Sequence, residues 1–384
     1  MRAGSDSPVR RTAALFLGHL VNDGFASFFA PLLPLLIAKL DLSLTLAGAL
    51  GTLRIATNSL LQPGLGLLVD RSERPGLVVI GPVLTVIAMS FIGRVGSSSE
   101  LLLIMIAAGI GTALFHPAAA SLVAGGTPSR RGLLMAFFSS GGTLGGAIAP
   151  VFIVSFVDRL SMTGTPLLLI PGLILLVGFS LLLHHALPPP TKKGKEGSLL
   201  PRIPHRLLTL WFAIVLSSAC SIGFANFLAV LVAARGGSTL AGGGAISLFL
   251  LAGAAAGFFA GNLSDRLGRK PVIFGSLVLA TPFYLGFLHS PVSLSLPLIA
   301  LAGVFGLSSI PVGVVAAQES IPGRTGLVSG LVMGLAWGFG GLALTPIGWL
   351  ADRFGIIPVM NGVSLLPLIA AGLILAWRAE GEAV

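Results

Sequence analysis

Twelve apolar stretches, each long enough to cross a lipid bilayer as a helix, leave few folds open to this sequence. About 20 apolar residues, at a rise of about 1.5 Å each, span the hydrocarbon core of a membrane. We therefore predict an all-helical integral membrane protein with twelve transmembrane spans. The predicted spans are 12–37, 45–69, 76–96, 100–124, 132–157, 165–187, 207–234, 240–264, 271–289, 292–317, 325–350 and 355–378.

The composition and the distribution of charge support this prediction. Of the 384 residues, 54% are hydrophobic and 9% are charged, whereas about a quarter are charged in soluble domains. Seventeen Lys and Arg residues fall in loops on one side of the predicted membrane and five on the other. The positive-inside rule then places both termini in the cytoplasm of a multi-pass protein of the cell (inner) membrane. The same bias explains the net charge of +10 without a nucleic-acid partner.

A polar stretch between the sixth and seventh spans divides the chain into two similar halves. The segment "TLAG" at residue 45 returns at residue 239, an offset of 194 that other short segments share. Because six is even, equivalent loops lie on the same side of the membrane, so the repeats are parallel and related by an axis along the membrane normal. The predicted domains are a six-helix bundle at 1–187, a cytoplasmic linker at 188–206 and a second six-helix bundle at 207–384.

Two loops on the cytoplasmic side carry similar charged motifs. The loop "GNLSDRLGRK" at 261–270 resembles the signature loop of the major facilitator superfamily of transporters, and "GLLVDRSERP" at 66–75 is a partial copy. The resemblance implies the twelve-helix major facilitator fold. Charges at helix ends can latch two helices together in one state and release them in another, so we expect gating rather than substrate binding here. The residues assigned to gating are Asp70, Arg71, Arg74, Arg130, Asp265, Arg266, Arg269 and Arg324.

Motifs in the first half narrow the resemblance. "GHLVNDG" in span one, "FHPAAASLVA" in span four and "RRGL" before span five are similar to the fosmidomycin-resistance branch of the superfamily, whose members are drug exporters. Span five also contains "GGTLGGAIAP" at 141–150, which partly resembles the antiporter motif of drug exporters. Ala149 stands before Pro150, so the match is incomplete. Close helix packing by the glycines explains this segment at least as well.

Ionisable residues interrupt the apolar pattern in spans one, two and four. His19 and Asp23 are four residues apart in span one, as are Arg54 and Asn58 in span two, so each pair lies on one face of a helix. His116 in span four lies at the depth of His19, about 12 Å from the cytoplasmic boundary. We expect these spans to line a central cavity with one polar cluster. Its predicted members are His19, Asn22, Asp23, Arg54, Asn58 and His116.

Asp23 is the only carboxylate in the interior of a predicted span, since Glu100 is the first residue of the fourth, and we assign Asp23 to proton coupling. A buried carboxylate can hold a proton in one state and release it in another. His19 and His116 can carry protons as well, or donate hydrogen bonds to an anion. Arg54 stays charged and can compete with substrate for Asp23 or bind an anionic substrate itself. A permanent ion pair between Arg54 and Asp23 that only fixes two helices is the alternative.

The second half lacks equivalent charges in its spans. At the repeat offset of 194, Arg54 corresponds to Leu248 and His116 to Ile310. We expect this half to contact an apolar or aromatic part of the substrate, with Asn226 as a polar contact. The aromatic residues available for this surface are Phe224, Phe227 and Phe249. The residues assigned to substrate binding are His19, Asn22, Asp23, Arg54, Asn58, His116 and Asn226.

These observations favour a secondary transporter that works by alternating access. The branch resemblance implies proton-coupled export of a small amphipathic or anionic compound, such as a drug or a metabolite. Uptake of an anionic metabolite and lipid translocation by the same fold are alternatives. An enzyme is not expected, because the interior of the spans offers one carboxylate and the chain has no Gly-x-x-x-x-Gly-Lys-Ser/Thr phosphate loop. We therefore expect no catalytic residue, no metal and no cofactor besides the proton gradient, and activity as a monomer.

Overall fold

The computed structural model of the protein describes residues 8–72, 76–124, 131–184, 205–320, 328 and 334–377, and no strand occurs in these ranges. The helices are α1 (Pro8–Ala26), α2 (Phe29–Leu40), α3 (Leu44–Ser72), α4 (Leu77–Ser90), α5 (Ser98–Ala124), α6 (Arg131–Leu160), a 3-10 helix (Met162–Leu168), α7 (Leu169–His184), α8 (His205–Ala234), α9 (Thr239–Leu267), α10 (Arg269–His289), α11 (Val292–Glu319), α12 (Trp337–Leu342), α13 (Leu344–Phe354), α14 (Ile356–Val363) and α15 (Leu366–Ala376).

Each predicted span contains a helix, and the prediction of an all-helical membrane fold is confirmed. Ten helical segments in the described ranges are long and apolar enough to cross a membrane. The helix α4 adds a shorter apolar segment, and α3, with 29 residues, occupies the second span.

Several spans are less regular than the sequence predicts. The first span is interrupted between α1 and α2 at Ser27, whose hydroxyl donates to the backbone oxygen of Asp23 at 2.7 Å. A serine that bonds to the preceding turn in this way often bends or ends a helix. The sixth span begins with a 3-10 helix that contains Pro166. Within the described residues, the last two spans each contain two short helices.

The surface of the helices is apolar. Phe258 is 78% exposed, Leu133 69% and Ile174 66%. Large exposed apolar patches are rare in monomeric proteins that face water, whereas lipid tails accept such side chains. The surface therefore agrees with a membrane location.

By their internal contacts, the residues group into two compact units. One unit contains Met1–Phe29 and Thr57–Leu199, and the other contains Ala30–Ala56 and Leu200–Val384. The boundaries of these units fall within the first span and within α3. The predicted linker at 188–206 lies largely outside the described residues, so the predicted domain boundaries stay a prediction.

In the first unit, glycines of α6 allow this helix to approach α1 closely. A Cβ atom added to Gly141 would collide with the backbone oxygen of Phe16, and one added to Gly145 would collide with that of Leu20. Small residues permit such backbone contact between membrane helices, where it replaces the hydrophobic effect as the source of packing energy. The contact brings the α6 backbone to the polar face of α1.

In the second unit, the beginning of α3 packs against α13. A Cβ atom added to Gly48 would collide with the backbone oxygen of Leu344. The carboxylate of Asp352 accepts hydrogen bonds from the backbone N–H groups of Leu44 and Thr45, at 2.7 and 2.8 Å. These N–H groups have no partner within α3, and a negative charge at a helix N-terminus is favourable. Asp352 therefore caps a helix that is distant in sequence.

Candidate functional site

Two histidines and an aspartate meet at the polar face of α1. His19 Nε2 lies 3.1 Å from Asp23 Oδ2, and His116 Nε2 lies 3.2 Å from Asp23 Oδ1. The helix α1 places His19 and Asp23 one turn apart, and the packing of α5 against α1 brings in His116. The structure thus places the three residues assigned to proton coupling in one cluster, which we call the His–Asp–His cluster.

The backbone of α6 fixes the orientation of the His19 ring. His19 Nδ1 lies 2.9 Å from the backbone oxygen of Phe138. A carbonyl oxygen can only accept a hydrogen bond, so Nδ1 carries a hydrogen. In a neutral imidazole, Nε2 would then direct its lone pair at the Asp23 carboxylate, 3.1 Å away. Two acceptors repel each other at this distance, so a proton on Nε2, donated to Asp23, fits this geometry.

Asn22 supplies a further hydrogen bond to the cluster. Its Nδ2 donates to Asp23 Oδ1 at 2.9 Å, and its Oδ1 accepts from the hydroxyl of Thr85 on α4 at 3.0 Å. Asn22 and Thr85 are fully buried. Thr85 is not among the predicted site residues, because a lone threonine in an apolar span does not indicate a functional role. Its contact with Asn22 depends on how α4 packs against α1.

The His–Asp–His cluster is partly open. The side chains of Asp23 and His116 are 27% and 26% exposed, and that of His19 is 11% exposed. Gly142 of α6 forms one wall, because a Cβ atom there would lie 2.7 Å from Asp23 Oδ2 and closer still to His19 Nε2. The neighbouring helices therefore leave the carboxylate accessible while they hold its partners in place.

The cluster also has spacing that suits a metal ion. One atom each from His19, Asp23 and His116 lies within 4.8 Å of the others. A proton and a metal ion would occupy the same lone pairs. The expectation that the cluster holds no metal stays a prediction.

Arg54 and Asn58 lie on the same helix but belong to different units. Asn58 is part of the first unit, where its Oδ1 accepts a hydrogen bond from Gln62 Nε2 at 2.9 Å, one turn along α3. Arg54 is part of the second unit and is half-buried. Their roles in substrate binding and the expected approach of Arg54 to Asp23 stay predictions.

Asn226 and three phenylalanines lie in the interior of the second unit. Asn226 is 7% exposed, and its Nδ2 has no hydrogen-bond partner among the described residues. Phe224, Phe227 and Phe249 are fully buried. Phe224 packs against Tyr284 with 4.2 Å between the ring centroids. The rings are buried in this conformation, and their expected contact with substrate stays a prediction. The role of Asn226 in substrate binding stays a prediction.

Charged residues of the signature loop form an ion-pair network. Arg269 pairs with Asp265 one turn away, and its Nη2 lies 2.9 Å from Glu319 Oε1 at the end of α11. A cavity of about 470 Å³ adjoins this network, and Trp377 contributes to its lining. Arg266 is exposed at the end of α9. The network links the cytoplasmic ends of α9, α10 and α11, where a gating latch is expected.

The other residues assigned to gating stay predictions. Asp70 and Arg71 lie in the last turn of α3. Arg74, Arg130 and Arg324 lie outside the described residues. Asp352, which the sequence analysis did not assign to gating, caps α3 from α13. In the sequence, Asp352 is marked by an "Asp-Arg" pair that also occurs 194 residues earlier, at 158.

An all-helical membrane fold with an ionisable cluster inside its helices suits a transporter. The family model of the Major Facilitator Superfamily matches residues 15–345, and the chain belongs to this family. It is therefore a multi-pass protein of the cytoplasmic membrane, as the sequence predicts.

Similar proteins agree with this assignment. The chain is 27% identical over 364 residues to the fosmidomycin resistance protein of Escherichia coli (strain K12), covering 93% of this chain and 90% of that one. It is 26% identical over 408 residues to a probable 4-methylmuconolactone transporter of Cupriavidus pinatubonensis (strain JMP 134 / LMG 1197), covering 100% and 94%. A solved bacterial homologue of the human lysosomal transporter Spinster shares the fold, with a TM-score of 0.83, 16% identity and coverage of 98% and 99%. The resemblance to the fosmidomycin-resistance branch is confirmed.

Proposed function

We propose that the protein is a secondary transporter that exports a small amphipathic compound, a drug or a metabolite, in exchange for protons by alternating access. The proton that His19 and Asp23 share carries this proposal. A shared proton suits their 3.1 Å contact, and the partial exposure of Asp23 would leave that proton exchangeable. Ionisable groups within membrane helices are costly, and their usual reason is an ion or proton pathway.

Exchange follows when the proton and the substrate compete for Asp23. A donor group or a positive charge on the substrate would replace the proton at the carboxylate. Binding of one then excludes the other, which is the condition for exchange. Alternating access supplies the change of side, since the family fold binds its substrate near the bilayer midplane between two repeats.

The name of one relative supports the direction of transport. The Escherichia coli relative is named for resistance to fosmidomycin. Resistance is the result expected when a transporter removes a compound from the cell. At 27% identity over nearly the whole chain, this relative makes export the leading direction for the present protein.

Proton-coupled uptake of an anionic metabolite is the second candidate. The observation in its favour is that both histidines adjoin Asp23. A further proton on the cluster would give it a net positive charge, so an anion and a proton would bind together rather than compete. Because the anion and the proton would bind at the same time, they would be transported in the same direction.

Transport in reconstituted vesicles under pH gradients of both signs tests the proposal, with radiolabelled fosmidomycin as the first compound. We expect fosmidomycin to move against the direction of proton flow, recorded with a pH-sensitive dye inside the vesicles. Movement of both in the same direction would replace export with cotransport. The Asp23→Asn variant should lose gradient-driven accumulation, and an unchanged response of this variant to the gradient would refute the coupling role of Asp23.

A further inference from the structure

A chain of three hydrogen-bonding groups runs from α4 to the carboxylate of Asp23. The Thr85 hydroxyl donates to Asn22 Oδ1 at 3.0 Å, and Asn22 Nδ2 donates to Asp23 Oδ1 at 2.9 Å. The Thr85 hydroxyl also lies 3.2 Å from the backbone oxygen of Gly81, so two acceptors share its single hydrogen, and Asn22 Oδ1 is the nearer of them.

This chain determines which way the Asn22 amide faces. An amide group has one acceptor end and one donor end, and the Thr85 hydroxyl can serve the acceptor end. On the donor side, the Thr112 hydroxyl lies 3.5 Å from Nδ2 and gives its own hydrogen to the backbone oxygen of Ala108 at 2.9 Å. Both threonines therefore favour the orientation in which the amide donates to Asp23.

We propose that Thr85, acting through Asn22, is a positioning residue that keeps a hydrogen-bond donor on Asp23 Oδ1 and so favours the charged carboxylate. Oδ1 lies next to two donors, Asn22 and His116, at 2.9 and 3.2 Å. Oδ2 lies next to His19. With Oδ1 occupied, the proton is confined to the pair formed by Oδ2 and His19 Nε2. This inference rests on the proposed proton coupling at Asp23.

The surroundings of Asp23 leave few other groups that could set this preference. The titratable groups that contact it are His19 from α1 and His116 from α5. The helix α6 contributes the Phe138 backbone oxygen to His19, and α4 contributes Thr85 through Asn22. Thr85 is uncharged and does not contact Asp23 itself, so it can be changed without altering a charge or a titratable side chain of the cluster.

The test is a pH titration of purified full-length protein by infrared difference spectroscopy, with the Asp23 carboxyl band assigned by its loss in Asp23→Asn. Thr85→Val keeps the shape of the side chain but removes the hydroxyl, so Asn22 no longer holds its donor on Asp23. A carboxylate that loses a donor is less stable in its charged form. We expect the band to titrate at a higher pH by about one unit, a change of about tenfold in proton affinity.

Three further variants complete the test. Thr85→Ser restores the hydroxyl and should return the titration to that of the parent protein. Thr85→Cys, with a weaker donor, should fall between the two and replaces Thr85→Val if that variant does not fold. Thr281→Val removes a buried hydroxyl from the second unit and should leave the band unchanged. A titration of Thr85→Val or Thr85→Cys that coincides with the parent would overturn the inference.

The result is separable from that of the proposed function. The infrared titration needs no substrate and no gradient. If vesicles show no proton movement but the band still shifts in Thr85→Val, the coupling proposal fails while the positioning of Asp23 stands. If vesicles show coupling and the band does not shift, the positioning role fails alone.

Discussion

The two repeats of the chain place different chemistry at equivalent positions. In the first repeat, Asp23 on the first span contacts His116 on the fourth. At the offset of 194, Asp23 corresponds to Ser217, whose hydroxyl lies 3.3 Å from that of Ser309 on α11. Each repeat thus joins its first and fourth spans by a polar contact, partly exposed in the first repeat and buried in the second. Only the contact in the first repeat can gain or lose a proton near neutral pH.

This difference indicates that the ionisable groups of the first repeat are needed for more than helix packing. A charged side chain at the centre of a membrane helix costs about 3 kcal/mol on insertion scales. A pair of hydroxyls, such as those of Ser217 and Ser309, joins two helices at a much smaller cost of insertion into the membrane. Because a neutral contact would suffice to hold α1 and α5 together, the charged contact in the first repeat argues for a role beyond packing.

The largest expected effect comes from making the first repeat resemble the second. Asp23→Asn keeps the size of the side chain but removes the carboxylate that shares a proton with His19. We expect proton-driven transport of fosmidomycin in vesicles to fall to the level of protein-free vesicles. The matched control is Ser217→Ala at the equivalent position, which should retain more than half of the parent rate. Equal losses in the two variants would show that both contacts serve packing alone.

A smaller loss should follow when the wall of the cluster is filled. Gly142→Ala would place a methyl group 2.7 Å from Asp23 Oδ2, so His19 and Asp23 must move apart. A displacement of about 1 Å at a reacting group lowers rates by up to about a hundredfold, and we expect a loss on the order of tenfold in transport rate. Gly146→Ala on the same helix meets only the Ser27 hydroxyl at 3.4 Å and is the control. A normal rate in Gly142→Ala would contradict the tight geometry of the cluster.

The parts of this site that the sequence predicts are those set by local helix geometry. His19 and Asp23 are four residues apart, so any helix places them on one face. His116 could be added because its depth in the fourth span equals that of His19 in the first. The twelve spans follow in the same way, since the length of apolar runs reflects the thickness of the bilayer.

The remaining features depend on packing between helices and leave little trace in the sequence. The Phe138 backbone oxygen orients His19, and a backbone group is not marked by any residue type. Thr85 is a single threonine in an apolar span, and its role follows from the contact with Asn22. The buried state of Phe224 was missed because apolar rings suit both a core and a binding surface.

Loss of the second histidine should have a moderate effect. His116→Asn removes the donor that lies 3.2 Å from Asp23 Oδ1, but it leaves His19 and the shared proton in place. One hydrogen bond to a charged group is worth about 1.5 kcal/mol, so we expect a loss of about tenfold or less in the vesicle assay. Ser309→Ala, which removes the polar partner of the equivalent contact, is the control. Complete loss of transport in His116→Asn would show that His116 itself carries the transported proton.

The smallest effect concerns stability and extends the comparison to the ends of the repeats. Asp352 caps α3 through two backbone N–H groups, whereas Asp158, its equivalent at the offset of 194, is exposed at the end of α6. Asp352→Asn replaces the charged cap of α3 with a neutral one. The effect is small, because solvent partly screens the charge of Asp352. We expect the melting temperature of the detergent-purified protein to fall by about 1 to 2 °C. Asp158→Asn should change it by less, because no equivalent cap is removed within the described part of its unit. If the melting temperature falls equally in both variants, the contact of Asp352 with α3 adds no more to stability than an exposed surface charge does. The junction of α3 with α13 would then be stabilised by close glycine packing, such as that of Gly48.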